Sequence, residues 1–252
     1  NLKLWQKLGI IFTPIVLVMV AIPLVTYAML ARDIADPERL MNRNNTGLVI
    51  TDRDGEVVHE FGRAKHRNIV ELEEMSLHIV DALIAGEDKN FYDHAGFSLL
   101  SIFRAAISGV GGGSTITQQL AKNNLLTSEQ TFLRKYQELF MSIAIERNYS
   151  KDEILTMYLN SVFYGENAFG IEDASRTYFN KAPADLTLAE SALLIGLLPA
   201  PSIYSPISGD PDKAIQRQNT VLSRMVKEGK ISEDEKEEAL AQELIFASSD
   251  GG

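Results

Sequence analysis

Cysteine is absent from the 252 residues, which excludes disulfides, thiolate zinc sites and a cysteine nucleophile while leaving the compartment open. Histidine is sparse, and His59, His66, His78 and His94 show no metal-ligand spacing. Positive charge is in deficit: 24 Lys and Arg stand against 34 Asp and Glu, a net charge of −10. That balance argues against a nucleic-acid partner, so any polyanion site has to be local. No segment repeats with a period of about 20–50 residues, which argues against a solenoid. Apolar residues are not lacking. At 45% hydrophobic and 23% charged, with 17 Gly and 8 Pro in no period, the chain is far from disordered or collagen-like composition. Its length suffices for one sizeable domain or two small ones.

Charge is missing altogether between Leu8 and Leu30. As a helix this stretch would span about 35 Å, enough for a hydrocarbon core of about 30 Å. Pro14 and Pro23 are tolerable in lipid where neighbouring groups satisfy the freed carbonyls. A cleaved signal peptide has a shorter apolar region, about 7–15 residues, ending at a small-residue site that is not found here. The expectation is therefore a cytoplasmic stub at 1–7 and one transmembrane helix at 8–30. Lys3 and Lys7 precede it, and the mixed cluster Arg32, Asp33, Asp36, Glu38 and Arg39 follows. The positive-inside bias then puts the chain from about residue 31 outside the cytoplasm.

Residues 31–46 are polar, contain Pro37 and read as a juxtamembrane linker. Between Gly47 and Phe61, two β-rich runs flank Asp54-Gly55, a strong hairpin signal. From Leu72 onward helical signals dominate. Ser or Thr is followed three places later by Glu or Gln at Thr127/Gln130, Ser150/Glu153, Thr187/Glu190 and Ser232/Glu235, each opening an apolar-periodic run. Leu188 to Leu198 is apolar apart from Glu190 and Ser191, which predicts a central buried helix stopped at Pro199.

Three clusters could carry chemistry. Glu87-Asp-Lys-Asn-Phe-Tyr-Asp-His-Ala-Gly96 follows the apolar run Ile79 to Ala85, so its first carboxylates stand at the end of a buried helix, where desolvation raises a pKa toward that of a base near neutral pH. The plain alternative is a solvated helix terminus. Gly111-Gly-Gly-Ser-Thr-Ile-Thr-Gln-Gln-Leu-Ala-Lys-Asn123 is a glycine-rich loop feeding a helix that starts near Ser114 to Thr117. Helix N-termini present free N–H groups to anions, and Thr115, Gln119 and Lys122 share one face. Lys122 comes too late after the glycines for a Walker A loop, and a flexible loop with an ordinary polar face is the alternative. Arg134 and Glu138 are an i, i+4 pair beside a stripe drawn through Leu139 and Ile143, which on its own reads as a surface salt bridge. Two separated carboxylates, an anion cradle and two cations together suit displacement of a diphosphate from a sugar carbon by a hydroxyl.

Those three segments, with Ser150-Lys-Asp-Glu-Ile-Leu-Thr-Met-Tyr-Leu-Asn160 and Leu188-Ala-Glu-Ser-Ala-Leu-Leu-Ile-Gly-Leu-Leu-Pro-Ala-Pro201, resemble the five ordered motifs of family 51 peptidoglycan glycosyltransferases. With Tyr178-Phe-Asn-Lys181 they cover residues 47–206. Asn180 stands where glycine is usual, and asparagine is the next-best residue for a left-handed backbone. Asp173 stands where a small residue is common. The resemblance implies a mainly α, lysozyme-like helical glycosyltransferase domain with a short N-terminal β-hairpin, preceded by one transmembrane helix. It would sit at the cell membrane, single-pass, with its catalytic domain on the extracytoplasmic face, and would polymerise lipid II with inversion.

Carried over position by position, Glu87 would be the general base and Glu138 would assist departure of the lipid diphosphate, directly or through a divalent cation, Mg2+ or Mn2+. Ser114, Thr115, Gln119, Lys122 and Arg134 would hold the diphosphate, and Asp88 and Asn160 would support the site. Implied partners are lipid II, the lipid-linked glycan chain, the cytoplasmic membrane and other cell-wall synthesis and division proteins; moenomycin is the implied inhibitor. From Gly209 on, ten acidic and six basic residues occur, and Gln216 to Ile231 looks like the connector of class A penicillin-binding proteins. Residues 207–252 are thus expected to lead toward a transpeptidase domain, whose Ser-x-x-Lys and Lys-Thr-Gly motifs do not occur in this chain. A lysozyme-like hydrolase or lytic transglycosylase is the competing enzyme reading. It leaves the glycine loop, Lys122 and Arg134 unexplained.

Overall fold

The computed structural model describes residues 4–34, 47–51, 57–62, 69–97, 114–124 and 132–247, and within the first of these helical stretches the side chains at 13–14 and 17–29. The Asp54-Gly55 turn, the glycines at 111–113, the Thr127/Gln130 cap and most of the 31–46 linker lie outside the described residues.

Among the described residues the protein is mainly α. Helix α1 (Leu4–Asp33) contains Pro14 and Pro23. Strands β1 (Gly47–Thr51) and β2 (Val57–Gly62) pair antiparallel, Gly47 opposite Gly62 and Leu48 opposite Phe61, as expected around Asp54-Gly55. Then follow α2 (Leu77–Glu87), α3 (Ile116–Asn124), α4 (Phe132–Asn148) and α5 (Lys151–Ser161). A second, minimal hairpin, β3 (Phe163–Gly165) with β4 (Ala168–Phe169), leads into α6 (Ile171–Phe179). The chain closes with α7 (Leu188–Leu197), α8 (Pro201–Tyr204), α9 (Pro211–Lys227) and α10 (Glu233–Ala241).

Helix starts follow local chemistry. Ser150, Thr187 and Ser232 each accept the N–H three residues on, while Glu153, Glu190 and Glu235 reach back to the cap's own N–H, so reciprocal boxes open α5, α7 and α10. Asn180 ends α6 with φ 53°, ψ 37°, the left-handed turn its replacement of glycine required. Asp173 is exposed in the first turn of α6, where a negative charge suits the helix dipole.

Helix α7 is the axis of the core: every residue from Ala189 to Leu197 is buried. Helices α2 and α9 pack against it and against each other. Helix α9 lies beyond residue 206, in the stretch expected to be a connector, yet Ala214, Gln218, Val221, Leu222 and Met225 are buried in the same core. The apolar stripe of α9 packs on α2 and α7, and α8 and α10 also lie against this helix. A second difference concerns α4. Its buried face runs through Glu138, Met141, Ser142 and Ile145, a helical i, i+3, i+4, i+7 set, whereas Leu139 and Ile143 are half-buried. Glu138 is on the inner face, which a reading that keeps charges outside does not anticipate.

The expected transmembrane segment falls within α1. Among the described residues no helix is long and apolar enough to cross a membrane; within α1, residues 17–29 form a charge-free run. Leu17, Met19, Leu24 and Met29 on that run are exposed. Its end is docked: the Tyr149 hydroxyl donates to the Ile34 carbonyl at 2.5 Å, and the Arg147 guanidinium stands 5.7 Å from the centre of the Tyr27 ring.

Candidate active site

Glu87 is the last residue of α2, whose apolar residues commit that helix to the core and carry the carboxylate to its rim. The Gln119 amide of α3 donates from Nε2 to Glu87 Oε2 at 2.9 Å, and the Tyr158 hydroxyl of α5 donates to Gln119 Oε1 at 2.7 Å. Burial pushes the Glu87 carboxyl above its ordinary 4.5; the Gln119 hydrogen bond and the cations Arg224 and Arg217 of α9 pull it back, and neighbouring Asp88 adds a smaller push upward. Arg224 also donates from Nη1 to the Gly86 carbonyl, holding the backbone just before the carboxylate.

Asp88 turns the other way. Its Oδ2 accepts from the Ile116 N–H at 3.0 Å, at the start of α3, and lies 2.9 Å from His94 Nε2. Because His94 Nδ1 accepts from the Gly96 N–H at 3.1 Å, Nε2 carries the hydrogen and donates to Asp88. Thr115 is buried; its hydroxyl donates to the Gly96 carbonyl at 2.7 Å and accepts from the Gln118 N–H at 3.1 Å. Thr115 and Asp88 thus fasten the first turn of α3 to the segment 94–97, and this commits the Thr115 hydroxyl within the protein. Lys151 reinforces that fastening through the His94 carbonyl at 2.6 Å and Glu146 at 2.7 Å, and Glu146 also accepts from the Thr117 hydroxyl.

The second carboxylate, Glu138, is 1% exposed. Arg134 Nε lies 3.2 Å from Oε1 and Lys135 Nζ 2.8 Å from Oε2. Lys135 also donates to the Ser114 hydroxyl at 2.9 Å, so the segment 114–119 ties the two halves together: Gln119 holds Glu87, and Ser114 meets the cation paired to Glu138. Lys122 is exposed on α3. Asn160 is buried and works elsewhere: Oδ1 accepts from the Val70 N–H at 3.0 Å, while Nδ2 donates to the carbonyls of Val70 and Thr156 at 2.8 Å. It pins the chain entering the domain.

Sequence reading passed over Tyr158, Lys135, Arg217 and Arg224. Lys135 had a signal, since it stands i, i+3 from Glu138. The others had none, because contacts between distant segments leave no local spacing. No group of three or more metal-ligating side chains occurs among the described residues. At Glu138, Oε2 accepts from Lys135, while Oε1 is buried 3.2 Å from Arg134 Nε without a hydrogen bond.

The transglycosylase family model matches residues 54–226, more than half of the chain. The chain belongs to the transglycosylase family. Penicillin-binding protein 1A of Neisseria flavescens is 42% identical over 205 residues, which are 79% of this chain and 25% of that protein. Penicillin-binding protein 1F of Bacillus subtilis (strain 168) is 40% identical over 236 residues, 89% of this chain and 32% of that protein. The crystal structure of penicillin-binding protein 1A from Haemophilus influenzae aligns over 81% of this chain and 21% of that one, with 25% identity and a TM-score of 0.45. This transglycosylase chain therefore spans about a quarter to a third of the curated relatives' length. The matched region extends through most of α9, in keeping with the packing of that helix on α2 and α7.

Proposed function

We propose that this transglycosylase domain polymerises lipid II into β-1,4-linked glycan strands during bacterial cell-wall synthesis. The observation that carries the reading is Glu87, a carboxylate desolvated enough to act as a base yet held by the Gln119 amide and faced by Arg217 and Arg224. In the reaction, Glu87 takes the proton of the acceptor's 4-hydroxyl. The oxygen forms the new bond to the donor's anomeric carbon from the face opposite the leaving group, which gives inversion. The bond to the diphosphate breaks with its electron pair on the leaving oxygen. A positioned base contributes roughly 10²- to 10⁴-fold. Lys122, Arg134 and Lys135, with Ser114 and the first turn of α3, are the groups suited to meet the charge of the departing diphosphate. Glu138 serves by holding Arg134 and Lys135 in place. No step is assigned to a divalent cation.

The exposed apolar side chains of α1, with Lys3 and Lys7 before it and mixed charge after it, support a single-pass anchor with the domain outside the cytoplasm. The docking of Ile34 on Tyr149 would keep Glu87 at a constant height above the bilayer carrying lipid II and the growing chain. Purified protein in detergent with labelled lipid II should yield long glycan strands, and Glu87→Gln should abolish them. Degradation of finished peptidoglycan by the wild type, in place of strand growth, would favour a hydrolase.

A further inference from the structure

Tyr158 is fully buried on α5. Burial pushes its hydroxyl well above the ordinary 10.0, so it remains protonated and able to donate. The donation goes to Gln119 Oε1 at 2.7 Å, and the other end of that amide donates to Glu87 Oε2 at 2.9 Å. A primary amide has one accepting and one donating end, and both orientations occupy the same volume. A carboxylate can only accept. With the amide turned round, oxygen would face oxygen at Glu87 and the Tyr158 hydrogen would lose its acceptor in a site where an unmade bond is costly. We propose that Tyr158 is a positioning residue for the reaction: its hydroxyl locks the Gln119 amide with the NH2 end toward Glu87, which keeps the base ionised and aimed at the acceptor hydroxyl. This rests on Glu87 being the base. Among the described residues, the other charged groups acting on Glu87 are Asp88 beside it and Arg217 and Arg224 from α9, and a change at Tyr158 leaves all three in place.

The experiment compares the full chain with Tyr158→Phe, Gln119→Leu and the double variant, measuring kcat and KM for lipid II across pH and titrating Glu87 by carbon-13 NMR of labelled glutamate. In Tyr158→Phe, kcat should fall about tenfold with KM within about twofold, and the acid limb and the Glu87 titration midpoint should both move up by about half a pH unit or more. The double variant should be no worse than Gln119→Leu alone, the mark of two residues acting in series. An unmoved Glu87 midpoint in Tyr158→Phe overturns the relay, as does an equal loss of rate at every pH accompanied by a lower melting temperature. Should Tyr158→Phe fail to fold, Gln119→Leu must still raise the midpoint; if it does not, the relay is wrong. A wild type that makes no strands sinks the choice of Glu87 as base, and the NMR midpoints then decide the relay by themselves.

Discussion

At Glu87, stability and function pull in opposite directions. Its folded pKa lies above the unfolded value near 4.5, so its contribution to stability is fully present below the unfolded value and is lost as pH rises through the folded one. Glu87→Gln should therefore abolish polymerisation yet leave the melting temperature at neutral pH unchanged or higher; a drop of several degrees in calorimetry would contradict this. Activity should fall as pH drops through the raised pKa, because the base is then protonated, and the acid limb of kcat should lie above the ordinary glutamate value. Glu138 differs because its charge is buried and paired. Arg134→Ala leaves it inside with Lys135 as its charged partner and should cost about 2–4 kcal/mol in urea unfolding. Lys122 is exposed, so Lys122→Ala should weaken use of the lipid-linked donor with little change in urea midpoint. Equal losses in both would make it a structural residue.

Among the elements, α6 shows how backbone geometry fixes the surroundings of the site. Gly170 precedes it with φ +85°, and a Cβ there would come within 2.5 Å of the Asn160 carbonyl oxygen. Gly170→Ala should cost more than about 2 kcal/mol and loosen the Asn160 hold on Val70, read by hydrogen exchange at the Val70 N–H. Asn180→Gly should be near neutral and Asn180→Ala should cost about 1 kcal/mol, since only the former accepts the left-handed turn without a Cβ penalty. Both features are local, and the Asn180 turn was readable in advance because its requirement is met by one residue. The reciprocal caps of α5, α7 and α10 were readable for the same reason. The inward face of α4 was not, because Glu138 is buried by what surrounds it, namely Arg134, Lys135 and the start of α3.

For the whole molecule, the packing of α9 is decisive. A chain ending at residue 206 loses Val221, Leu222 and Met225 from the core and both arginines that face Glu87, and it should lose cooperative thermal unfolding as followed by circular dichroism. If residues 1–206 melt as sharply and at the same temperature as the full chain, α9 is a passive connector. The sequence alone determined the helical character, the caps, the two carboxylate clusters and the family, because periodicity, capping and ordered motifs are encoded over short spans. Only tertiary structure decided that Tyr158 and Gln119 stand behind Glu87, that Arg224 reaches the Gly86 carbonyl from a helix near the chain's other end, and that Asn160 holds Val70. The physical reason is distance along the chain: each such contact joins segments far apart in sequence, and it exists only once the helices that carry them have packed together.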